Sequence, residues 1–174
     1  MYHSLELFDG TSTLGELFSK NFQPASLIGE NKLFCQQCDA KVDGTMQTRW
    51  LNAPFILALQ VKRVGYNSLL DAEEKDNRAI HYPLFLDAGR AMFGHNDEEA
   101  CVHGYRLVAV LSHLGIARAG HYYMRYRIDD TRWYVANCTE GLGPVQGHCS
   151  QADALGDITS AYMFFYVHCP PSVE

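Results

Sequence analysis

No stretch of this 174-residue chain approaches the roughly 20 consecutive apolar residues that a membrane helix needs. It also lacks an N-terminal apolar run ending in a small-residue cleavage site, so secretion is not expected. Positive charge is in short supply: 14 Lys and Arg stand against 20 Asp and Glu, a formal net charge of −6. That balance argues against nucleic acid or an anionic membrane as the main partner. There is no internal repeat and no low-complexity tract. Six cysteines occupy positions 35, 38, 101, 138, 149 and 169, and only Cys35 and Cys38 are close together. Such sparse cysteines do not make a disulfide framework; the expectation is an intracellular chain, cytoplasmic or nuclear, with reduced thiols.

What is present suits one folded unit. Hydrophobic residues make up 47% and aromatics 12%, enough apolar material for a real core at this length. Residues 11 to 30 read as helical, with Thr11 or Ser12 as cap and Leu14, Leu17 and Phe18 at helix spacing before Asn21; Pro24 interrupts, and a second short element ends near Asn31. Met46 to Leu51 alternates, and the apolar run from Phe55 to Val61 looks like a buried central strand ending in surface residues Lys62 and Arg63. The polar segment 65 to 79 reads as a loop or hairpin tip, and 94 to 100 as another loop. Strands are predicted over 105 to 113, 121 to 128, 132 to 136 and 161 to 168, the pattern of an antiparallel sheet, with a glycine-rich irregular stretch over 139 to 157.

Two groups of residues carry chemistry. His121 ends a glycine-containing turn, and Asn137 follows sixteen residues later at the end of the next predicted strand. A histidine that moves protons needs its second ring nitrogen held by an acceptor, which a carboxamide on a neighbouring strand supplies. Cys35 and Cys38 put two thiols on one tight turn, half of a tetrahedral zinc site. No second C-x-x-C exists, and Cys101 with His103 is an unusual pair for the other half; free thiols are the equal alternative. A nucleophile is missing from the pattern. Cys138 follows Asn137 in one strand, where alternation turns it to the other face, and Cys101, Cys149 and Cys169 have no setting that would activate a thiol.

The order of motifs resembles the C-terminal half of the catalytic domain of ubiquitin-specific proteases, a papain-like cysteine protease family. The matching pieces are Ser12 to Phe18, Gly29 to Cys38, Leu51 to Arg63, His81 to Asp87, Tyr105 to Gly115, Gly120 to Tyr123, Trp133-Tyr134 and Ser160 to Tyr166. The resemblance implies an α+β half-domain over residues 1 to 174: a mostly antiparallel sheet, a short helical N-terminal part and a finger-like knuckle. It implies deubiquitination by thiolate attack after the C-terminal glycine of ubiquitin, with His121 as general base and Asn137 orienting it. Gly120 and Tyr122 would flank the substrate tail, and Cys35 and Cys38 would match one zinc knuckle of the fingers, with no cofactor needed for catalysis. The partners implied are ubiquitin, ubiquitinated proteins and a segment or chain that supplies the nucleophile. The family's cysteine box and first zinc knuckle have no match, so this chain alone is expected to be inactive. A non-catalytic ubiquitin-binding scaffold is the alternative; retention of both His121 and Asn137 favours the enzyme.

Overall fold

The computed structural model describes residues 2–89, 104–139 and 143–169. The loop expected over 94–100 and the candidate ligands Cys101 and His103 lie outside them. In chain order the elements are β1 (Tyr2–Leu5), α1 (Leu14–Asn21), β2 (Ala25–Leu27), β3 (Leu33–Cys35), β4 (Ala40–Val42), β5 (Gly44–Met46), β6 (Ile56–Val61), β7 (Val64–Asn67) and β8 (Ala72–Lys75). They continue with β9 (Phe85–Asp87), β10 (Gly104–Ile116), β11 (Ala119–Arg127), β12 (Trp133–Thr139), β13 (Gly143–Cys149), α2 (Gln151–Gly156) and β14 (Ala161–Cys169).

Eight strands form one sheet in the order β1-β6-β14-β10-β11-β12-β13, with β9 also on β10. Every pairing is antiparallel except β1 with β6. The α+β, mostly antiparallel expectation therefore holds. The period-2 pattern turns Leu57, Leu59 and Val61 of β6 and Phe164 and Tyr166 of β14 into one core with Leu14, Leu17 and Phe18 of α1. Burying these side chains contributes roughly 1.5–3 kcal/mol each.

Several local expectations need correction. The apolar run over 55–61 is second from the sheet edge and is buried on one face only, since Ile56 is 48% exposed while Leu57 is fully covered. Helix α1 is only eight residues long, and its cap is Thr13, whose hydroxyl accepts from the Glu16 N–H while Glu16 reaches back to the Thr13 N–H. The alternation over 46–51 does not continue a strand: β5 stops at Met46, and Trp50 leaves to pack edge-on against Phe22 in the core, ring centroids 5.9 Å apart. The largest revision is at 139–157, where β13 pairs with β12 from Trp133↔Cys149 to Thr139↔Gly143, and α2 follows under a Ser150–Asp153 capping box. Glycines hid the strand, because pairing with a neighbour supplies what its own propensity does not. The cap was legible as Ser-x-x-Asp before an alanine-containing turn.

Candidate active site and zinc knuckle

His121 lies just past the tight connection between β10 and β11. Gly115 sits at φ +121°, where a side chain would be strained, and a Cβ there would stand 2.4 Å from the Ala119 carbonyl oxygen. Opposite it, a Cβ on Gly120 would meet the Leu114 carbonyl oxygen at 2.2 Å and the His113 ring at 2.3 Å. The two glycines let the backbones close tightly, and that closure sets the register in which His121 sits in β11.

The register then brings the predicted pair together. His121 faces Leu114 across β10, and Asn137 of β12 faces Tyr123 of β11. His121 and Tyr123, two apart on one strand, share a face, so Asn137 lies diagonally across from His121. His121 Nε2 is hydrogen-bonded to Asn137 Oδ1. With Nε2 as donor, Nδ1 is left with its lone pair. The arrangement can take a proton at Nδ1 while holding the ring still. Tyr122 falls on the opposite face, its ring 4.5 Å from that of His113 and 6.0 Å from that of Tyr162. Gly120 stays beside His121; the Tyr122 ring does not.

Next to the pair is a charged network that the sequence reading missed. The Tyr123 hydroxyl donates to the Asp157 carboxylate, and Arg125 reaches Asp157 at 3.0 Å and the Tyr123 oxygen at 3.0 Å. Ser160 adds its hydroxyl, and its N–H donates to Asp157 at 3.2 Å. Burial pushes the Asp157 carboxyl up, but hydrogen bonds from Ser160, Tyr123 and Arg125 and the Arg125 charge outweigh it, holding the group at about 2. No sequence spacing announces this network, since Asp157 lies more than thirty residues from Tyr123 and meets it only through the β10–β14 pairing.

Arg63 was expected at the surface and is fully buried instead. Its guanidinium donates to the carbonyls of Ala161 (2.7 Å), Asp76 (3.0 Å), Arg78 (2.8 Å) and Ile158 (3.0 Å). Burial lowers its pKa, and the carboxylates of Asp76 and Asp157 oppose that shift. One side chain thus ties the end of β6 to the segment carrying Asp157. Lys75 of β8 donates to the carbonyls of His113 (2.6 Å) and Gly115 (3.2 Å), and Arg118 pairs with Glu73 at 3.0 Å. The polar segment read as a loop or tip is thus the β7–β8 hairpin, joined to the turn that precedes His121. Burial and the Lys75 charge both lower the His113 pKa.

Cys35 ends β3 and Cys38 lies within the β3–β4 turn, with Asp39 at φ +48°. The Cys35 pKa is lowered by N–H groups of Cys38 and Gln37 aimed at its sulfur and by the Cys38 thiol. Thiolate stabilised on a tight turn suits zinc. These residues fit two of four ligand positions, and among the described residues no cluster of three or more His, Cys, Asp or Glu could complete the set. The other described thiols are remote from His121. Cys169 pairs with Gly104, ten positions along β10 from the partner of His121, roughly 30 Å by strand rise, and Cys149 pairs with Trp133 at the far end of β12. Burial pushes the Cys149 thiol up, away from the nucleophilic form. No helix among the described residues is long and apolar enough to cross a membrane.

The fold is that of the papain-like deubiquitinases. It superposes on the deubiquitinating module SAGA Ubp8/Sgf11/Sus1/Sgf73 bound to ubiquitin aldehyde with a TM-score of 0.78 at 24% identity, over 95% of this chain and 35% of that one. The profile of the ubiquitin carboxyl-terminal hydrolase family matches residues 17–166, and the chain belongs to that family. A probable ubiquitin carboxyl-terminal hydrolase of Acanthamoeba polyphaga mimivirus is 30% identical over 169 residues, covering 96% of this chain and 32% of that protein. Ubl carboxyl-terminal hydrolase 18 of Homo sapiens is 29% identical over 143 residues, covering 76% of this chain and 38% of its own length. The chain therefore spans about a third of these relatives.

Proposed function

We propose that this chain supplies the histidine and carboxamide of a cysteine deubiquitinase site, acting on the bond after the C-terminal glycine of ubiquitin. The observation that carries the reading is the His121 Nε2 contact with Asn137 Oδ1, which leaves Nδ1 as proton acceptor. Nδ1 takes the proton of a cysteine thiol, and the thiolate attacks the glycine carbonyl. His121 then returns the proton to the departing amine, leaving an acyl-enzyme that water hydrolyses. Asn137 holds the imidazole through both transfers. The thiol comes from a separate nucleophile-bearing segment or chain, since Cys35, Cys38, Cys149 and Cys169 are all elsewhere. Strand alternation expects Cys138 on the face away from Asn137, and Cys101 has no setting in the sequence that would activate it. Cys35 and Cys38 hold half of a structural zinc site, which would fix the β3–β4 turn and take no part in the reaction. The partners are ubiquitin and ubiquitinated proteins in the cytoplasm or nucleus.

The test is cleavage of a ubiquitin–fluorophore conjugate. The 174-residue chain is expected to be inert. Joined to, or mixed with, the nucleophile-bearing half of a relative, it gains turnover, and His121→Ala then removes about 10²- to 10⁴-fold of it. Asn137→Ala costs less. Labelling of the chain alone by a ubiquitin electrophile would overturn the reading, because the reactive thiol would then be one of the six present.

A further inference from the structure

We propose that Tyr123 is a positioning residue for the His121–Asn137 pair, its ring clamped by Asp157, Arg125 and Ser160 so that it backs the Asn137 carboxamide. The inference rests on the proposed role of that pair and adds the element that orients it. Its basis is a row of side chains on one sheet face. Ser112 of β10, Tyr123 of β11 and Asn137 of β12 are direct cross-strand partners, and His121 sits one diagonal step away. Directly opposed residues stand about 4.5–5.5 Å apart at Cβ, so Tyr123 is the cross-strand neighbour of Asn137 on β11.

A free tyrosine ring would be a weak guide, because χ1 and χ2 let it swing. This one has three partners on its hydroxyl. The oxygen donates to Asp157, accepts from Arg125 at 3.0 Å and lies 3.4 Å from the Ser160 hydroxyl. The guanidinium of Arg125 lies over the same ring, 4.8 Å from its centroid, and also reaches the buried Ser112 hydroxyl at 3.4 Å. Arg125 and Asp157 are mostly buried, at 14% and 15% side-chain exposure, so their 3.0 Å ion pair is shielded from competing water. Asp157 is fixed from behind, because Arg63 ties the Ile158 carbonyl to the end of β6. The chain of constraint runs from β6 through Arg63, Asp157 and Tyr123 to Asn137. Such support for a reacting group is what precise orientation requires, since about 1 Å of misplacement costs much of a catalytic rate.

The experiment reads His121 itself and needs no turnover. In ¹⁵N-labelled chain above the ordinary imidazole titration range, the nitrogen shifts report which ring nitrogen carries the proton. In the parent chain the Nε2–H tautomer is expected to dominate, and Asn137→Ala abolishes the preference. Tyr123→Phe keeps the ring and removes the hydroxyl. It should lower the tautomer ratio by roughly three- to tenfold, the size of one net hydrogen bond. Asp157→Asn should act in the same direction, and the double variant should add little, because both act through one network. Should Asp157→Asn fail to fold, Ser160→Ala removes a single donor and gives a smaller shift of the same sign. Tyr126→Phe, on the same strand and stacked on Tyr134, should change nothing. An unchanged ratio in Tyr123→Phe overturns the inference while leaving the His121–Asn137 pair intact. A parent chain without tautomer preference overturns the pair, and the inference with it.

Discussion

In the eight-stranded sheet, Leu57, Leu59, Val61, Phe164 and Tyr166 are completely buried; in the hairpins over 25–46, Ile28, Leu33, Phe34 and Met46 are each more than half exposed. The residue types are alike, and alternation operates in both. What differs is a second layer. The sheet has α1 and α2 on its inner face, whereas β2–β5 and β3–β4 are separate two-stranded sheets. A lone hairpin is marginal in water because it has no face to bury against. His121 and Asn137 ride on the larger, layered sheet. Cys35 and Cys38 ride on the uncovered one, where a metal or a docked protein has the most to add.

Truncating a core aromatic breaks this comparison open most forcefully. Phe164→Ala should cost about 3–5 kcal/mol in urea unfolding. Phe34→Ala, 60% exposed, should stay within about 0.5 kcal/mol. An equal cost at both positions would mean that the hairpin is covered in solution and that the contrast is false.

Acid unfolding comes next in size. The folded pKa of Asp157 is depressed to about 2 from an ordinary 3.8, so its stabilisation is complete above pH 4 and is lost as pH falls from about 4 to 2. The shift corresponds to about 2 kcal/mol. Asp129, an exposed turn carboxylate bonded to Thr131 and Arg132, is also held at about 2 and titrates in the same window. Asp157→Asn should therefore flatten only part of the acid limb of a stability-versus-pH curve. A limb unaffected by that substitution would place the coupling elsewhere.

Strands β10, β11, β12 and β14 and the His121–Asn137 pair were legible because each depends on local alternation or on neighbouring strands, whereas the strands of the 64–75 hairpin were read only as a polar loop or tip. Strand β13 was not, since Gly143, Pro144 and Gly147 weaken any strand signal and only pairing with β12 makes one. Arg63 and Asp157 were invisible for a different reason. A charged residue at a strand end reads as surface, and only the meeting of β6, the 76–78 segment and the start of β14 supplies the four carbonyls that bury the guanidinium. The cysteine knuckle was legible as a motif, yet its completion depends on residues that the sequence could not pair.

Metal content sharpens the hairpin side of the comparison. The purified chain, dialysed against zinc and analysed, should retain well below one ion per chain, since a structural site needs four ligands. Cys35→Ser should remove what is retained and leave the stability of the sheet unchanged. A full equivalent that survives loss of Cys101 and His103 would reveal a second ligand pair or a site shared between chains.

The smallest effect is that of Arg118, where the hairpin β7–β8 meets the turn before His121, and the two cations there should behave differently. Arg118 and Glu73 are a solvent-exposed ion pair, with side chains 75% and 43% accessible. Such pairs contribute about 0.2–1 kcal/mol and are screened by salt. Lys75 instead donates to two backbone carbonyls at 2.6 and 3.2 Å from a partly buried position. Hydrogen bonds to a charged donor are worth about 1.5–3 kcal/mol and depend on contact rather than on long-range field. Arg118→Ala should thus raise amide exchange in the 114–120 turn slightly at low salt and not at all near 1 M, where the screening length is about 3 Å. Lys75→Met should raise it more, and at both salt levels. If 1 M salt erased the Lys75 effect as well, the hairpin would be held by field alone, and the turn that carries Gly120 into His121 would lack the fixed contact assigned to it.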